Sequence, residues 1–211
     1  MPTTRRKMLG LAATGVTVAV LGTLAFGGQA SAHDASFRAT LRDPSGAAVG
    51  TVKLRISSHA TEVTVKLRPS QYVTPRDAFH GFHIHANNDD SNGVGCIADP
   101  ALPSSTWFVS ADGHLSDRPG QIHGGHTGDL PSPLVLADGS ARLRFSTDRI
   151  DPAQVRGRVV VLHAGADNFG NIPAGSEPNQ YTPNSPGAGS LTSRTGNAGD
   201  RGACGAIHRS F

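Results

Sequence analysis

VTVKL (residues 63–67) is the stretch that best indicates the fold, because its apolar and polar side chains alternate. The same period of two recurs in VKLRI at 52–56 and in ARLRF at 141–145. A strand that buries one face of a sheet has this pattern. VVVL at 159–162 is a continuous apolar run and predicts a more deeply buried strand.

Turn-forming residues separate these strands, as in DPSG at 43–46 and ADGS at 137–140. Many short strands joined by turns predict an all-β antiparallel sandwich or barrel. Two stretches, 86–133 and 164–203, are rich in Gly, Asn, Ser and Pro instead. Histidines and cysteines lie in or beside both stretches, so we expect two long functional loops.

The N-terminus has the three parts of a secretory signal peptide. Basic residues at 5–7 precede an uncharged run at 9–26, and ASA at 30–32 is a small-residue cleavage site. We therefore expect residues 1–32 to be removed and 33–211 to form one secreted or extracytoplasmic domain. TRRKML at 4–9 resembles a twin-arginine signal, which leaves the twin-arginine and the general export routes both open. The apolar run is short and contains glycines, so no stable membrane anchor is expected.

The charge and the cysteine count narrow the partners and the compartment. Lys and Arg number 19 against 16 Asp and Glu, and removal of Arg5, Arg6 and Lys7 leaves 16 of each. This neutral balance gives no support for a nucleic-acid partner or an anionic membrane. Cys96 and Cys204 are the two cysteines, and an even number in an exported chain favours a disulfide.

The histidine pattern points to bound metal. His83 and His85 lie two residues apart, so on a strand they point to one face and form a ligand pair suited to copper or zinc. His123, His126 and Asp129 follow at spacings of three, and their nitrogen and oxygen donors suit zinc. Two further candidate ligands are His114 and His163.

In their order along the chain, several segments resemble those of the copper–zinc superoxide dismutases, the exported bacterial and actinobacterial members in particular. The segments are GFHIH at 81–85, Cys96, SADGH at 110–114, HGGHTGDL at 123–130, VVLHAGAD at 160–167 and TGNAGDRGACG at 195–205. The resemblance implies a Greek-key antiparallel β-barrel or sandwich of about eight strands, with one copper and one zinc per subunit.

The resemblance also implies how the ligands divide between the two metals, with His114 as a bridge that binds both. The implied copper ligands are His83, His85, His114 and His163. The implied zinc ligands are His114, His123, His126 and Asp129. The His123–His126 spacer of two residues is shorter than in many relatives.

Other residues match supporting positions of the family. Asp167 corresponds to the carboxylate that links a copper ligand to a zinc ligand, and His80 to a histidine that braces the loop beneath the copper. Arg201 corresponds to the arginine at the channel mouth, and Cys96 with Cys204 to the disulfide. An insertion carrying Trp107 and Phe108 precedes His114, and we expect an interface or a cover there.

The implied function is conversion of superoxide to dioxygen and hydrogen peroxide by one-electron cycling of the copper. Arg201 would attract the substrate anion. One alternative is a non-catalytic exported copper-binding protein of the same fold, a copper store or a chaperone-like module. Another is a copper monooxygenase that uses His33 as its N-terminal residue. A homodimer and a monomer both stay open.

Overall fold

The structure is a computed structural model that describes residues 35–167 and 196–210. The predicted signal peptide, residues 1–32, and His33 lie outside the described residues. The cleavage site, the division into a signal peptide and a 33–211 domain, and any role of His33 therefore stay predictions.

Within the described ranges most of the regular structure is β-strand, as the alternating segments predict. Seven strands have six or more residues: β1 (Ala35–Arg42), β2 (Ala48–Ile56), β3 (Thr61–Leu67), β4 (Ala78–His85), β7 (Ala141–Thr147), β8 (Val159–Ala166) and β9 (Arg201–Ala206). Three have two residues: β5 (Asp129–Leu130), β6 (Leu134–Val135) and β10 (His208–Arg209). A four-residue helix, α1 (Pro152–Val155), is capped by the Asp151 side chain, which accepts from the backbone of Gln154. No helix in this part of the chain is long and apolar enough to cross a membrane.

The strands form one antiparallel sheet that curls into a half-barrel. Its order is β5-β4-β8-β9-β1-β2-β3-β7, with β10 paired to β1 and β6 paired to β4. The chain crosses the sheet from β3 to β4 and back from β7 to β8. In these two places, strands that are consecutive in sequence lie far apart in the sheet. The curl brings β6, on one side, into contact with β7 at the other edge. The antiparallel β-barrel or sandwich prediction is confirmed.

The period-two segments pack their apolar side chains into one core. Alternate residues of 52–56 and 63–67 are buried, including Val52, Leu54, Val63 and Val65. The prediction for 141–145 is less complete, because Ala141 is buried whereas the rest of that apolar face is only partly buried. The reason is that β7 lies at the edge of the sheet.

The opposite face of β8 and β9 packs under a second, smaller cluster. Val159 and Val161 contact Phe108 and Cys204 there. The run at 159–162 is thus buried on both faces, as its continuous apolar character predicts. Cys204 is bonded to Cys96, 108 residues earlier, so the predicted disulfide is confirmed.

The insertion before His114 forms a cover over this second cluster. Phe108 is buried, and the Trp107 indole N–H donates to the carbonyl of Asp99 at 2.9 Å and to that of Leu102 at 3.1 Å. The Trp107 ring meets Tyr72 edge-on, with centroids 5.2 Å apart. The cover and the disulfide together attach the long loop to β8 and β9.

Candidate metal centre

The pleat of β4 places its two histidines on the side of the sheet away from the main core. Phe82 and Ile84 point into that core. His83 and His85 alternate with them along the strand and point outward. Both histidines are nonetheless buried, at 1% exposure, because the loop that follows β4 covers them. His163 reaches the same side from β8, because it continues the alternation of Val159 and Val161, which face away from the main core.

His114 lies in the covering loop and is brought to β4 by backbone hydrogen bonds. The amide of Ala86 donates to Gly113 at 2.9 Å, and that of Leu115 donates to Ile84 at 2.8 Å. The imidazole centroids of His83 and His114 are consequently 3.9 Å apart. Donor atoms of four histidines lie within 4.8 Å of one another: His83, His85, His114 and His163. The four predicted copper ligands therefore converge.

Four ring nitrogens of this cluster, and one of the neighbouring His123, have no hydrogen-bond partner among the described residues. Buried polar atoms are normally paired, so several orphans in one place call for a ligand that is not protein. These atoms are His83 Nδ1, His85 Nε2, His114 Nε2, His123 Nδ1 and His163 Nε2.

Backbone carbonyls determine the tautomer of two of the rings. His85 Nδ1–H donates to the Asp112 carbonyl at 2.8 Å, and His163 Nδ1–H donates to the Gly199 carbonyl at 2.8 Å. A neutral imidazole carries one N–H, so each Nε2 is left with a free lone pair. The carbonyls thereby orient both rings for metal binding.

Burial also keeps these histidines unprotonated. It lowers the pKa of His83 and of His85 well below the ordinary value, with a further contribution from the neighbouring His114. Burial lowers the pKa of His163 to about 3, against the opposing effect of the Gly199 carbonyl. A metal ligand must be deprotonated, so the cluster is ready to bind metal at neutral pH.

The second predicted ligand set surrounds the carboxylate of Asp129. His114 Nδ1 lies 2.8 Å and His123 Nδ1 lies 3.4 Å from Asp129 Oδ1, while His126 Nδ1 lies 3.3 Å from Oδ2. Tetrahedral zinc with bonds of about 2.0–2.1 Å separates its ligand atoms by about 3.3 Å. The distances of His123 and His126 match that edge. Burial alone would raise the pKa of Asp129, but the adjoining His114 and His123 imidazoles hold it far below its ordinary value.

The possible metal-ligating atoms also form a second group that overlaps the first. Atoms of His83, His114, His123 and Asp129 lie within 4.8 Å of one another, a set without His126. His83 Nδ1 also belongs to the first cluster and can serve only one ion. The Nδ1 of His126 faces Asp129, and its Nε2–H donates to the Gln121 carbonyl at 3.0 Å. His126 is therefore also adjacent to the Asp129 carboxylate, as the predicted set requires.

The short spacer between His123 and His126 forms a turn around the Asp129 carboxylate. The amides of Gly124 and His126 donate to Asp129 Oδ2 at 2.7 and 3.0 Å. Arg149 supports the same turn from outside, with its guanidinium 3.2 Å from the Gly124 carbonyl and 3.5 Å from the His126 carbonyl. Two residues are therefore enough to bring both rings to one carboxylate. Arg149 belongs to no motif in the sequence, so sequence reasoning missed it.

Gly128 joins this turn to β4. A Cβ at this position would lie 2.1 Å from the Ile84 carbonyl oxygen, which accepts from Leu115. Only glycine allows the two backbones this approach. The close contact places the Asp129 set directly beside the β4 histidines.

The two predicted supporting residues lie next to the site. His80 is fully buried, with Nδ1 3.1 Å from the His163 carbonyl and Nε2 2.8 Å from the Pro75 carbonyl. The Asp167 carboxylate accepts from the Ser132 hydroxyl, and its backbone N–H donates to Phe79 at 2.8 Å. The roles expected of His80, as a loop brace, and of Asp167, as a link between ligands, stay predictions.

Arg201 borders a surface depression of about 390 Å³ whose floor includes His85, His114 and His163. Its guanidinium donates to the carbonyls of Phe108 and Asp112, which direct it to this depression. Burial lowers the pKa of Arg201, but an arginine remains charged at neutral pH.

An acidic residue and a second hollow also lie on this part of the surface. Asp200 also borders the depression, and its carboxylate accepts from the Ser104 hydroxyl at 2.6 Å. A larger hollow of about 720 Å³ lies beside the disulfide. We place the functional site by its histidine donors rather than by cavity size.

Comparisons with known proteins agree with this geometry. A sequence model of the family described as copper/zinc superoxide dismutase (SODC) matches residues 48–207. The copper–zinc superoxide dismutase of Mycolicibacterium paratuberculosis is 37% identical over 174 residues, which is 79% of this chain and 71% of that protein. The Mycobacterium tuberculosis enzyme is 36% identical over 178 residues, covering 82% and 70%.

The solved structures include a similar fold. The Cu/Zn superoxide dismutase from Brucella abortus has a TM-score of 0.56 at 23% identity, covering 82% of this chain and 99% of that one. Identity at this level establishes the fold alone, whereas the family match extends over most of the chain and includes all the converging histidines. The chain belongs to the copper/zinc superoxide dismutase family.

Proposed function

We propose that this chain is an exported superoxide dismutase, which converts two superoxide anions and two protons into dioxygen and hydrogen peroxide. The observation that carries the proposal is the set of buried, unpartnered histidine nitrogens, which a copper ion beside a second ion would satisfy. A non-catalytic copper store would not need the charged arginine beside an open depression.

Copper would be held by nitrogens of the four converging histidines and would supply the one-electron oxidation and reduction that dismutation requires. The donors would be His83 Nδ1, His85 Nε2, His114 Nε2 and His163 Nε2. The backbone carbonyls of Asp112 and Gly199 keep two of these nitrogens unprotonated. Neither His85 nor His163 would have to change its tautomer before copper binds.

Zinc would be held by the Asp129 set, that is by Nδ1 of His114, His123 and His126 together with the Asp129 carboxylate. Zinc has no accessible second oxidation state, so its contribution would be to hold the His114 ring in place. The turn from 123 to 126 and the carboxylate that it encloses support this assignment.

Arg201 would guide superoxide to the floor of the depression. Its positive charge attracts the anion, and its forked N–H donors orient it. Steering of this kind raises an association rate by roughly tenfold or more at low salt. Two backbone carbonyls hold the guanidinium in place, so the charge stays directed at the histidines.

His114 would handle the proton. Its Nδ1 lies against Asp129 and its Nε2 faces the other three histidines. When Nε2 is not a ligand, it can hold a proton and pass it to the oxygen species that has been reduced. Hydrogen peroxide needs a second proton, which solvent in the depression supplies.

Export of the chain is part of the proposal. The basic residues 5–7, the apolar run 9–26 and the site at 30–32 support a cleaved signal. The Cys96–Cys204 disulfide supports an oxidising compartment. N-terminal sequencing of the protein from the culture medium or the cell envelope tests it, and a mature chain that keeps residues 1–32 would contradict it.

The activity is tested by following superoxide decay after pulse radiolysis with the copper- and zinc-loaded chain. We expect His163→Ala to lose copper and activity together. His59→Ala removes an exposed histidine from the β2–β3 turn and should retain both. A loaded wild-type chain that does not accelerate the decay, or a fully active His163→Ala, would rule out the proposed site.

A further inference from the structure

The outer face of the sheet carries an uneven charge that the neutral total conceals. Two depressions cross β1, β2, β3 and β7 on the face opposite the main core. Among the residues that the structure describes, the first, of about 430 Å³, is lined by four cationic side chains and by no acidic one. The four are Arg38, Lys66, Arg68 and Arg142.

The second depression, of about 250 Å³, adjoins the first and shares Thr51 and Lys66 with it. It adds the cationic side chains of Lys53, Arg55 and Arg144. We call the two depressions together the cationic groove. Seven of the 16 Lys and Arg that follow residue 32 line it. Its one acidic residue is Glu62, which pairs with Arg144.

The strand register sets like charges against one another in this groove. Arg38 lies directly opposite Lys53, and Lys66 directly opposite Arg142. Like charges at directly opposed positions destabilise a sheet. The stability of the fold therefore gives no reason for this arrangement, whereas an anionic partner would turn the repulsion into binding energy.

The floor of the groove is polar. It includes Gly50 and the hydroxyl residues Thr40, Thr51 and Thr64. Leu67 is the large apolar residue of the lining, and it is buried. Within the described ranges, the lining therefore offers no large exposed apolar side chain to enter a lipid surface and no aromatic platform on which a base could stack.

We propose that the cationic groove binds a linear polyanion with repeating phosphate groups and no bases, such as a base-free phosphodiester polymer outside the cell. Five of the seven cations are arginines, whose guanidinium forks match phosphate oxygens in pairs. A flexible chain can follow the groove over its hydroxyl floor, whereas a flat lipid surface cannot. In the described part of the chain, the groove shares no lining residue with the depression over the histidines, so an occupied groove leaves the metal site open.

The test measures binding of fluorescently labelled linear polyphosphate to the mature, metal-loaded chain over a salt series. The binding constant should fall with salt at a log–log slope of about −0.7 per phosphate contacted. The variant Lys66→Gln/Arg142→Gln should reduce the slope by about 1.4 and weaken binding roughly 25-fold near 0.1 M salt. Arg38→Gln/Arg68→Gln removes two other cations of the groove, and it should reduce the slope and the affinity by the same amounts.

The control is Arg118→Gln/Arg156→Gln, which removes the same charge from exposed positions outside the groove. It should change the affinity by less than about twofold. Dismutase activity equal to the wild type reports that each variant is folded. Equal loss in the control pair would show diffuse charge attraction and overturn the proposal. Tighter binding to phosphatidylglycerol vesicles, or to single-stranded DNA of equal phosphate number, would assign the groove to a membrane or to nucleic acid and would also overturn it.

Discussion

Replacement of both bridged cysteines by alanine should remove a large part of the stability of this fold. The bond between Cys96 and Cys204 spans 108 residues. Closure of a loop of this length lowers the entropy of the unfolded chain by an amount equivalent to about 4.8 kcal/mol at 25 °C. For a domain of this size each kcal/mol corresponds to about 2–4 °C, so we expect Tm to fall by about 10–19 °C.

Differential scanning calorimetry and urea unfolding of the metal-free chain provide the assay, because bound metal would add its own stabilisation. Reductant should bring the wild type close to the Cys96→Ala/Cys204→Ala variant and leave the variant unchanged. The variant should also lose activity, since Arg201 donates to Phe108 and Asp112 in the tethered loop. A loss in unfolding free energy below about 1 kcal/mol would refute the reasoning from loop closure.

Three further predictions follow from single contacts. Arg149→Ala releases the carbonyls of Gly124 and His126, so it should lower zinc affinity about tenfold in a chelator competition and leave copper affinity unchanged. An equal loss of affinity for both metals would contradict this prediction. Arg201→Ala should lower kcat/KM about tenfold at low salt and weaken its salt dependence, as pulse radiolysis would show, whereas an unchanged salt dependence would exclude steering. The metal-free chain should lose stability as pH falls from about 6.5 towards 3. In the unfolded chain His163 binds a proton across this range, whereas in the folded chain its pKa of about 3 keeps it unprotonated. A flat unfolding free energy over that range would refute it.

The alternating strands were predictable because the pleat assigns each side chain to a face from sequence alone. Val63 and Val65 are buried for this reason. The partial burial of Leu143 and Phe145 was not predictable, because it depends on β7 lying at the sheet edge. Strand order depends on crossings between distant segments, which a local pattern does not contain.

The metal site, too, was predictable from the sequence only in part. The pairing of His83 with His85 follows from the pleat, whereas the approach of His114 depends on hydrogen bonds between the loop and Ile84. The compact turn at 123–126 was predictable only as a short spacer, and Arg149 supports it from a segment without any motif. The pleat also predicts that Lys53, Arg55 and Lys66 point away from the core, but only the strand pairing places Arg142 and Arg144 beside them to form the cationic groove.

The central claim is that His114 is shared by two different ions. Its most direct test is the copper and zinc content per chain, by plasma mass spectrometry, together with the dismutase activity of the same purified mature protein. We predict one copper and one zinc per chain, activity that disappears with the copper, and disturbance of both ions in His114→Ala. Copper at one per chain with no zinc, or activity that survives complete removal of copper, would contradict the account.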